Sequence, residues 1–209
     1  MHPEELSLPL VAILRGLSAE EAPAVGTALF DAGIRLLEVP LNRPGAIDAI
    51  RVLAAMAPDG ALVGGGTMLS VDHVEQVAAA GGQLMVAPNC NPAVIRRAAA
   101  VGMLCAPGVA TPTEAFAALE AGAHALKIFP AEMVGTAGLK AMKTVLPPSV
   151  PLWPVGGITP ESMGAWLAAG ATGFGIGGAL YQPGQDCDGI GRKARAYVEA
   201  WAEARTAQR

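Results

Sequence analysis

Residues 120–129 read EAGAHALKIF: the close of a helix, a small residue and a glycine, then a short apolar run. The same order recurs at DAGIRLLEV, AAGGQLMVA, AVGMLCAP and AAGATGFGIG. The glycines of the pattern are Gly33, Gly81, Gly102, Gly122 and Gly170, at successive gaps of 48, 21, 20 and 48 residues, or two units, one, one and two. Glycine directly after a helix takes the left-handed C-terminal cap at little cost. The apolar runs that follow do not alternate strictly, as expected of parallel strands covered on both faces.

Filling the gaps predicts strands near 9–14, 34–40, 61–65, 83–87, 103–107, 124–129, 151–155 and 172–176. Helices fall between them, with start signals at Ser18, Ser70, Thr111 and Thr159, each followed shortly by an acid. Strand then helix, eight times within 209 residues, predicts an α/β fold: a single-domain (β/α)8 TIM barrel over residues 1–209, with no linker or second domain. The alternative is an open doubly wound sheet, but no GxGxxG follows the first strand.

Composition narrows the function classes. The chain is 52% hydrophobic and 15% charged, so much of it must be interior. A net charge of -4 gives no footprint for nucleic acid or an acidic membrane surface. Two stretches free of charged residues, 76–95 and 162–185, are long enough to mimic a membrane span. The first is broken by Gly-Gly, Gln83 and Asn-Cys-Asn-Pro, the second by repeated glycines, so each reads as a helix, a turn and a buried strand. The N-terminal MHPEELSLPLVAIL carries acids before its short apolar run and does not read as a signal peptide. Cys90, Cys105 and Cys187 form no CxxC and are odd in number, which fits a reducing, cytoplasmic setting.

Lysine is among the residues least often buried. The chain has four, and Lys140, Lys143 and Lys193 fall on helical stretches, which leaves Lys127 as the one in a strand. Of eighteen acids, only Glu38, in LLEVPLN, is strand-borne, and Arg15 ends the first strand in VAILRG. In a (β/α)8 barrel, functional groups gather at the C-terminal ends of strands, so these three are expected to converge there. Alternation turns Ala125, Lys127 and Phe129 inward and Leu126 and Ile128 toward the helices. Plainer readings compete: a lysine snorkelling outward, a structural buried ion pair with Glu38, and an Arg15 bridge to a helix.

After the seventh and eighth strands the chain reads VGGITPES and GIGGALY. Gly156-Gly157 and Gly177-Gly178 let backbone approach an anion just before a helical start, where exposed N–H groups donate to it. An amine among apolar walls has its pKa lowered, because burial disfavours the ammonium. A neutral lysine attacks a ketone to form a Schiff base, and a nearby carboxylate moves protons. Amine, carboxylate and phosphate cradle together read as a class I aldolase for a phosphorylated keto sugar acid. The rival readings are a metal-dependent sugar-phosphate epimerase and a catalytically silent phosphate-binding barrel. The epimerase needs several His and carboxylate ligands at strand ends, whereas His2 and His73 lie off the strands and His124 begins one.

The blocks VAILRG, EVPLN, GGGTML, LMVAPN, APGVATPTEA, ALKIFPAE and VGGITPE, spread from about Leu8 to Tyr181, resemble the bacterial keto-deoxy-phosphosugar-acid aldolases, a pyruvate-producing group of small (β/α)8 enzymes. The resemblance implies Lys127 as the Schiff-base nucleophile and Glu38 as the general acid/base. It implies Arg15 and Thr67 at the substrate's carboxylate end, Pro88 and Phe129 around the pyruvate pocket, and Gly156, Gly157, Gly177 and Gly178 at the phosphate. It further implies no metal and no cofactor, a small-molecule substrate as the partner, and a homotrimer. Phosphogluconate-specific members carry Thr-Leu-Arg where this chain has Pro40-Leu41-Asn42, and Thr where it has Val155. Both departures point to the galactonate branch, with the same chemistry on the 6-phosphogluconate-derived epimer or on 4-hydroxy-2-oxoglutarate as the nearest alternative, and Asn42 in the arginine's place hands that arginine's role to Arg15. Gly178 stands where the family usually has Ser, which removes a hydroxyl contact to phosphate.

Overall fold

The structure is a computed structural model and describes Leu6 and residues 8–206. His2, the acids ahead of the first apolar run and the two ends of the 1–209 span lie outside the described residues. The elements alternate as β1 (Leu10–Ile13), α1 (Ala22–Asp31), β2 (Leu36–Pro40), α2 (Ala46–Met56), β3 (Leu62–Gly66), α3 (Val71–Ala79), β4 (Leu84–Val86), α4 (Pro92–Ala100), β5 (Leu104–Ala106), β6 (Gly108–Val109), α5 (Pro112–Glu120), β7 (Leu126–Ile128), α6 (Ala131–Lys143), β8 (Leu152–Pro154), α7 (Met163–Ala169), β9 (Phe174–Ile176) and α8 (Cys187–Thr206). All eight expected strands are present within their predicted ranges or one residue beyond. The five repeat glycines have φ between +83° and +108°, the backbone that the helix-closing pattern requires.

Helix starts follow local chemistry. The Ser70 hydroxyl accepts from the His73 amide, and Thr111 with Glu114 forms a reciprocal capping box. Thr159 pairs instead with Ser162, over a short 3-10 turn. At Ser18 the hydroxyl accepts from the Glu21 amide, one turn ahead of α1.

The fifth predicted strand ends at Ala106, and past Pro107, which has no N–H to give a ladder, a further two-residue strand, β6, lies outside every predicted range. The result is a mixed α/β fold with two parallel sheets and eight α-helices among the described residues. One sheet runs β5-β4-β3-β2-β1-β9 and the other β6-β7-β8. Backbone bonds run between the sheets on both sides. His124 and Ala125 donate to the Cys105 carbonyl at 2.9 and 3.1 Å, and Thr172 donates to Leu152 at 2.9 Å. A parallel bridge joins Val155 to Gly175. His124, expected to begin a strand, accepts from the Cys105 amide at 3.1 Å through Nδ1, so it belongs to the junction between β5 and β7.

Every strand residue is buried. Period-two alternation divides them between two apolar layers. Leu37, Val39, Leu126, Ile128 and Phe174 pack outward against helix residues such as Leu29, Ile50 and Leu53. Val11, Leu36, Leu62, Leu84, Leu104, Ala125 and Trp153, drawn from both sheets, pack inward on one another. The inner layer has little spare room. A Cβ added to Gly64 would fall 1.8 Å from the Leu84 carbonyl oxygen, and that backbone is held in the β3–β4 ladder. Gly64→Ala is therefore expected to destabilise the fold by roughly 3 kcal/mol, the upper end for overpacking a core. The measurement is the urea midpoint, and an unchanged midpoint contradicts this packing.

Candidate active site

Glu38 is the middle residue of β2, between outward-facing Leu37 and Val39. It is 1% exposed. Space for it comes from Gly66, the last residue of β3: a Cβ there would lie 1.4 Å from Glu38 Oε2. Lys127 is the middle residue of β7, between outward Leu126 and Ile128, and is 7% exposed. The snorkelling alternative is thereby removed. Its Nζ lies 5.0 Å from the centroid of the Phe129 ring, in reach of a cation–π attraction.

Desolvation is the dominant influence on both groups. It pushes the Glu38 carboxyl up to about 7, against the opposing pull of Lys127 and then Arg15. It pushes the Lys127 amine down, with Glu38 opposing and Arg15 assisting. Glu38 Oε2 has no hydrogen-bond partner among the described residues. Burial thus draws both groups toward their neutral forms, which disfavours a structural salt bridge between them.

A cavity of about 490 Å³ opens at the C-terminal ends of the strands. Lys127, Arg15, Thr67, Pro88, Phe129, Val155, Gly156, Gly157, Gly177 and Gly178 all line it. Glu38 does not. It borders a void of about 10 Å³ shared with Lys127, Trp153, Val155 and Gly175. Lys127 borders both spaces and Glu38 the second, and the two groups act on one another electrostatically. The smaller void is about large enough for one water molecule.

The rim is shaped locally. Arg15 is exposed, two residues beyond the end of β1, and its Nη1 donates to Asn42 Oδ1 at 2.8 Å. Thr67 directly follows the Gly64–Gly66 run at φ 53°, a left-handed conformation that a β-branched residue holds only when its surroundings enforce it. Gly156 and Gly157 have φ of 120° and 61°. The Glu132 carboxylate lies against them, with Oε2 2.2 Å from where a Gly156 Cβ would be. Lys140, Lys143 and Lys193 are exposed on α6 and α8.

Thr159, Tyr181, Gln182 and Pro183, which no motif singled out as substrate contacts, also line the cavity. The signal was available: the last three follow Gly177-Gly178 within GIGGALYQP. Among the described residues, no three His, Cys, Asp or Glu side chains gather closely enough to hold a metal ion. None of the described helices is long and apolar enough to cross a membrane.

The family model described as "KDPG and KHG aldolase" matches residues 5–192. The chain is 46% identical to the 2-dehydro-3-deoxy-6-phosphogalactonate aldolase of Escherichia coli (strain K12), over 96% of this chain and 98% of that protein. It is 33% identical to the KHG/KDPG aldolase of the same organism, over 91% of each. A solved structure described as "Native KDPGal structure" superposes with a TM-score of 0.94 at 46% identity, covering 97% of this chain and 98% of that one.

The raised Glu38 pKa carries a consequence for stability. Unfolded, a glutamate ionises near 4.3. Folded, Glu38 holds its proton until about 7. Between these values the folded state binds more protons than the unfolded one, so rising pH costs stability across that window. Relative to Glu38→Gln, the parent chain should lose a few kcal/mol between pH 4.5 and 7. Urea unfolding of both at pH 5 and pH 7.5 measures this, and a constant difference between them contradicts it.

Proposed function

The chain belongs to the KDPG and KHG aldolase family and is an aldolase, a carbon–carbon lyase; from that premise we propose that it cleaves 2-dehydro-3-deoxy-6-phospho-D-galactonate to pyruvate and D-glyceraldehyde 3-phosphate through a Schiff base on Lys127, as a step in galactonate degradation. The observation that carries this reading is the burial of one amine, at 7% exposure, on the cavity wall, with a carboxyl at 1% exposure on an adjoining void that the amine also borders. At its ordinary pKa of about 10.4, under roughly 0.1% of a lysine is neutral at pH 7. Desolvation raises that fraction and with it the supply of nucleophile.

Lys127 Nζ adds to the C2 ketone, and loss of water leaves an iminium. The C4 hydroxyl gives its proton to Glu38 through a bridging water, and the C3–C4 electron pair flows into the iminium as that bond breaks. D-Glyceraldehyde 3-phosphate leaves. The enamine takes a proton at C3, and water returns pyruvate and the free amine. A carboxyl titrating near 7 suits both the acceptance and the return of a proton. The iminium serves as the electron sink, so the sequence of steps draws on no metal and no cofactor.

Arg15, steadied by Asn42, and Thr67 take the substrate's carboxylate end in this reading, and Pro88 and Phe129 wall the pyruvate half. Gly156, Gly157, Gly177 and Gly178 take the phosphate through backbone N–H groups. Val155 beside the reacting carbons is an apolar neighbour where the phosphogluconate branch has a hydroxyl. The higher identity to the phosphogalactonate enzyme than to the KHG/KDPG enzyme supports the same branch.

The two sheets are read as one closed (β/α)8 barrel in a single domain over 1–209. Support comes from the backbone bonds between β5 and β7, the Val155–Gly175 bridge, and an inner apolar layer fed by both sheets. The assembly proposed is a homotrimer, as the family resemblance implies. Three free cysteines support residence in the cytoplasm.

Borohydride reduction in the presence of pyruvate should leave a covalent adduct on Lys127 by mass spectrometry, and Lys127→Met should leave none. An adduct on another residue removes Lys127 from the mechanism. Glu38→Gln should still trap pyruvate while its cleavage rate falls about 10²- to 10⁴-fold, the usual contribution of a positioned acid/base. Side-by-side cleavage of the two C4 epimers should favour the galactonate form, with Val155→Thr narrowing the ratio. Faster cleavage of the gluconate epimer by the parent overturns the substrate assignment. Light scattering on the eluting protein should give three chain masses.

A further inference from the structure

The wall of the cavity after β9 is a loop, residues 177–186, and it is fastened to the other end of the chain. The Leu180 and Tyr181 amides donate to the Gly177 carbonyl at 2.8 and 3.1 Å, so the loop begins as a tight turn. Gln182 Nε2 donates back to the Gly178 carbonyl at 3.3 Å. These bonds shape the loop but do not anchor it. The anchor is Glu21, ahead of α1. Its Oε1 accepts the Gly184 N–H at 2.8 Å, and its Oε2 accepts the Tyr181 hydroxyl at 3.3 Å. Tyr181 is 3% exposed, and Pro183 packs against Gly16, where an added Cβ would stand 3.1 Å from the ring.

Resting on the aldolase reading above, we propose that Glu21 is a positioning residue for the phosphate-bearing end of the substrate. One carboxylate ties the loop that carries Gly177-Gly178 to the segment that carries Arg15, and so holds the backbone N–H groups of the cradle at a set distance from the opposite substrate contact. A carboxylate suits the task because it is acceptor-only: both oxygens face donors, one a backbone N–H and one a phenol. Glu21 borders no part of the cavity itself. Its influence on the substrate runs through Gly177, Gly178 and Tyr181. With no serine hydroxyl at position 178, grip on the phosphate depends on backbone donors, and these are useful only while the loop stays in place.

The test compares Glu21→Ala, Glu21→Gln and Tyr181→Phe with the parent, in cleavage of the phosphorylated aldol and in borohydride trapping of pyruvate. Glu21→Ala should raise KM about tenfold, the scale of one charge-assisted hydrogen bond, with kcat within about twofold and pyruvate trapping intact. Glu21→Gln keeps an oxygen for Gly184 and an amide that donates to the tyrosine oxygen, so it should restore KM to within about threefold of the parent. Tyr181→Phe removes one bond and should fall between. An unchanged KM in Glu21→Ala with trapping intact overturns the anchor and leaves the aldolase reading standing. Loss of trapping in parallel with cleavage also overturns it, since a general folding defect would then explain both. Failure of the parent to trap pyruvate overturns the aldolase reading, and the anchor with it.

Discussion

Desolvation acts on Lys127 and Glu38 in opposite directions along the charge scale, and most of the molecule is arranged to sustain it. An amine and a carboxyl sit within an apolar interior built from both sheets. Each is pushed toward its neutral form, and each partly restrains the shift of the other. A surface pair of the same residues would be fully charged and chemically idle at neutral pH. In the proposed mechanism the cost of burial is turned into a nucleophile and a proton carrier, the sense in which active sites trade stability for chemistry.

The same constraint explains where glycine is spent. The β3 run Leu62–Gly66 ends in three glycines. Gly64 allows the Leu84 backbone to approach, and Gly66 leaves the volume that the Glu38 carboxyl fills. A residue directly after that run, Thr67, is held at positive φ on the cavity wall. Polar function and close packing therefore meet in one short stretch, with the outer layer of Leu, Ile, Val and Phe against the helices supplying the stability that the interior gives up.

The rim obeys a different physics from the floor. Its residues lie in loops after the strands, and their geometry depends on a few directed hydrogen bonds rather than on packing. Arg15 leans on Asn42, the 177–186 loop leans on Glu21, and Tyr197 donates to the Ile158 carbonyl at 2.8 Å from behind the Gly156-Gly157 turn. Loops of this kind can change partner specificity without disturbing the core that sets the amine and carboxyl.

Much of this was legible in the residues alone, for local reasons. Helix closure at the repeat glycines is a one-residue requirement for positive φ, and caps at Ser70 and Thr111 act over three residues. Alternation along β7 depends only on period two. Scarcity did the rest: one strand-borne lysine and one strand-borne acid left few candidates for the chemistry. Tertiary structure decided what no local rule reaches. The break at Pro107 depends on which neighbours the strands before and after it meet. The placement of Glu38 on a void that Lys127 also borders depends on the register of β2 with β3 and the space left by Gly66. Glu21 finds Tyr181 and Gly184 across 160 and 163 residues of chain. A sequence specifies short-range geometry through sterics and hydrogen bonds between neighbours, whereas contacts at such separations exist only once the strands have paired and brought distant loops together.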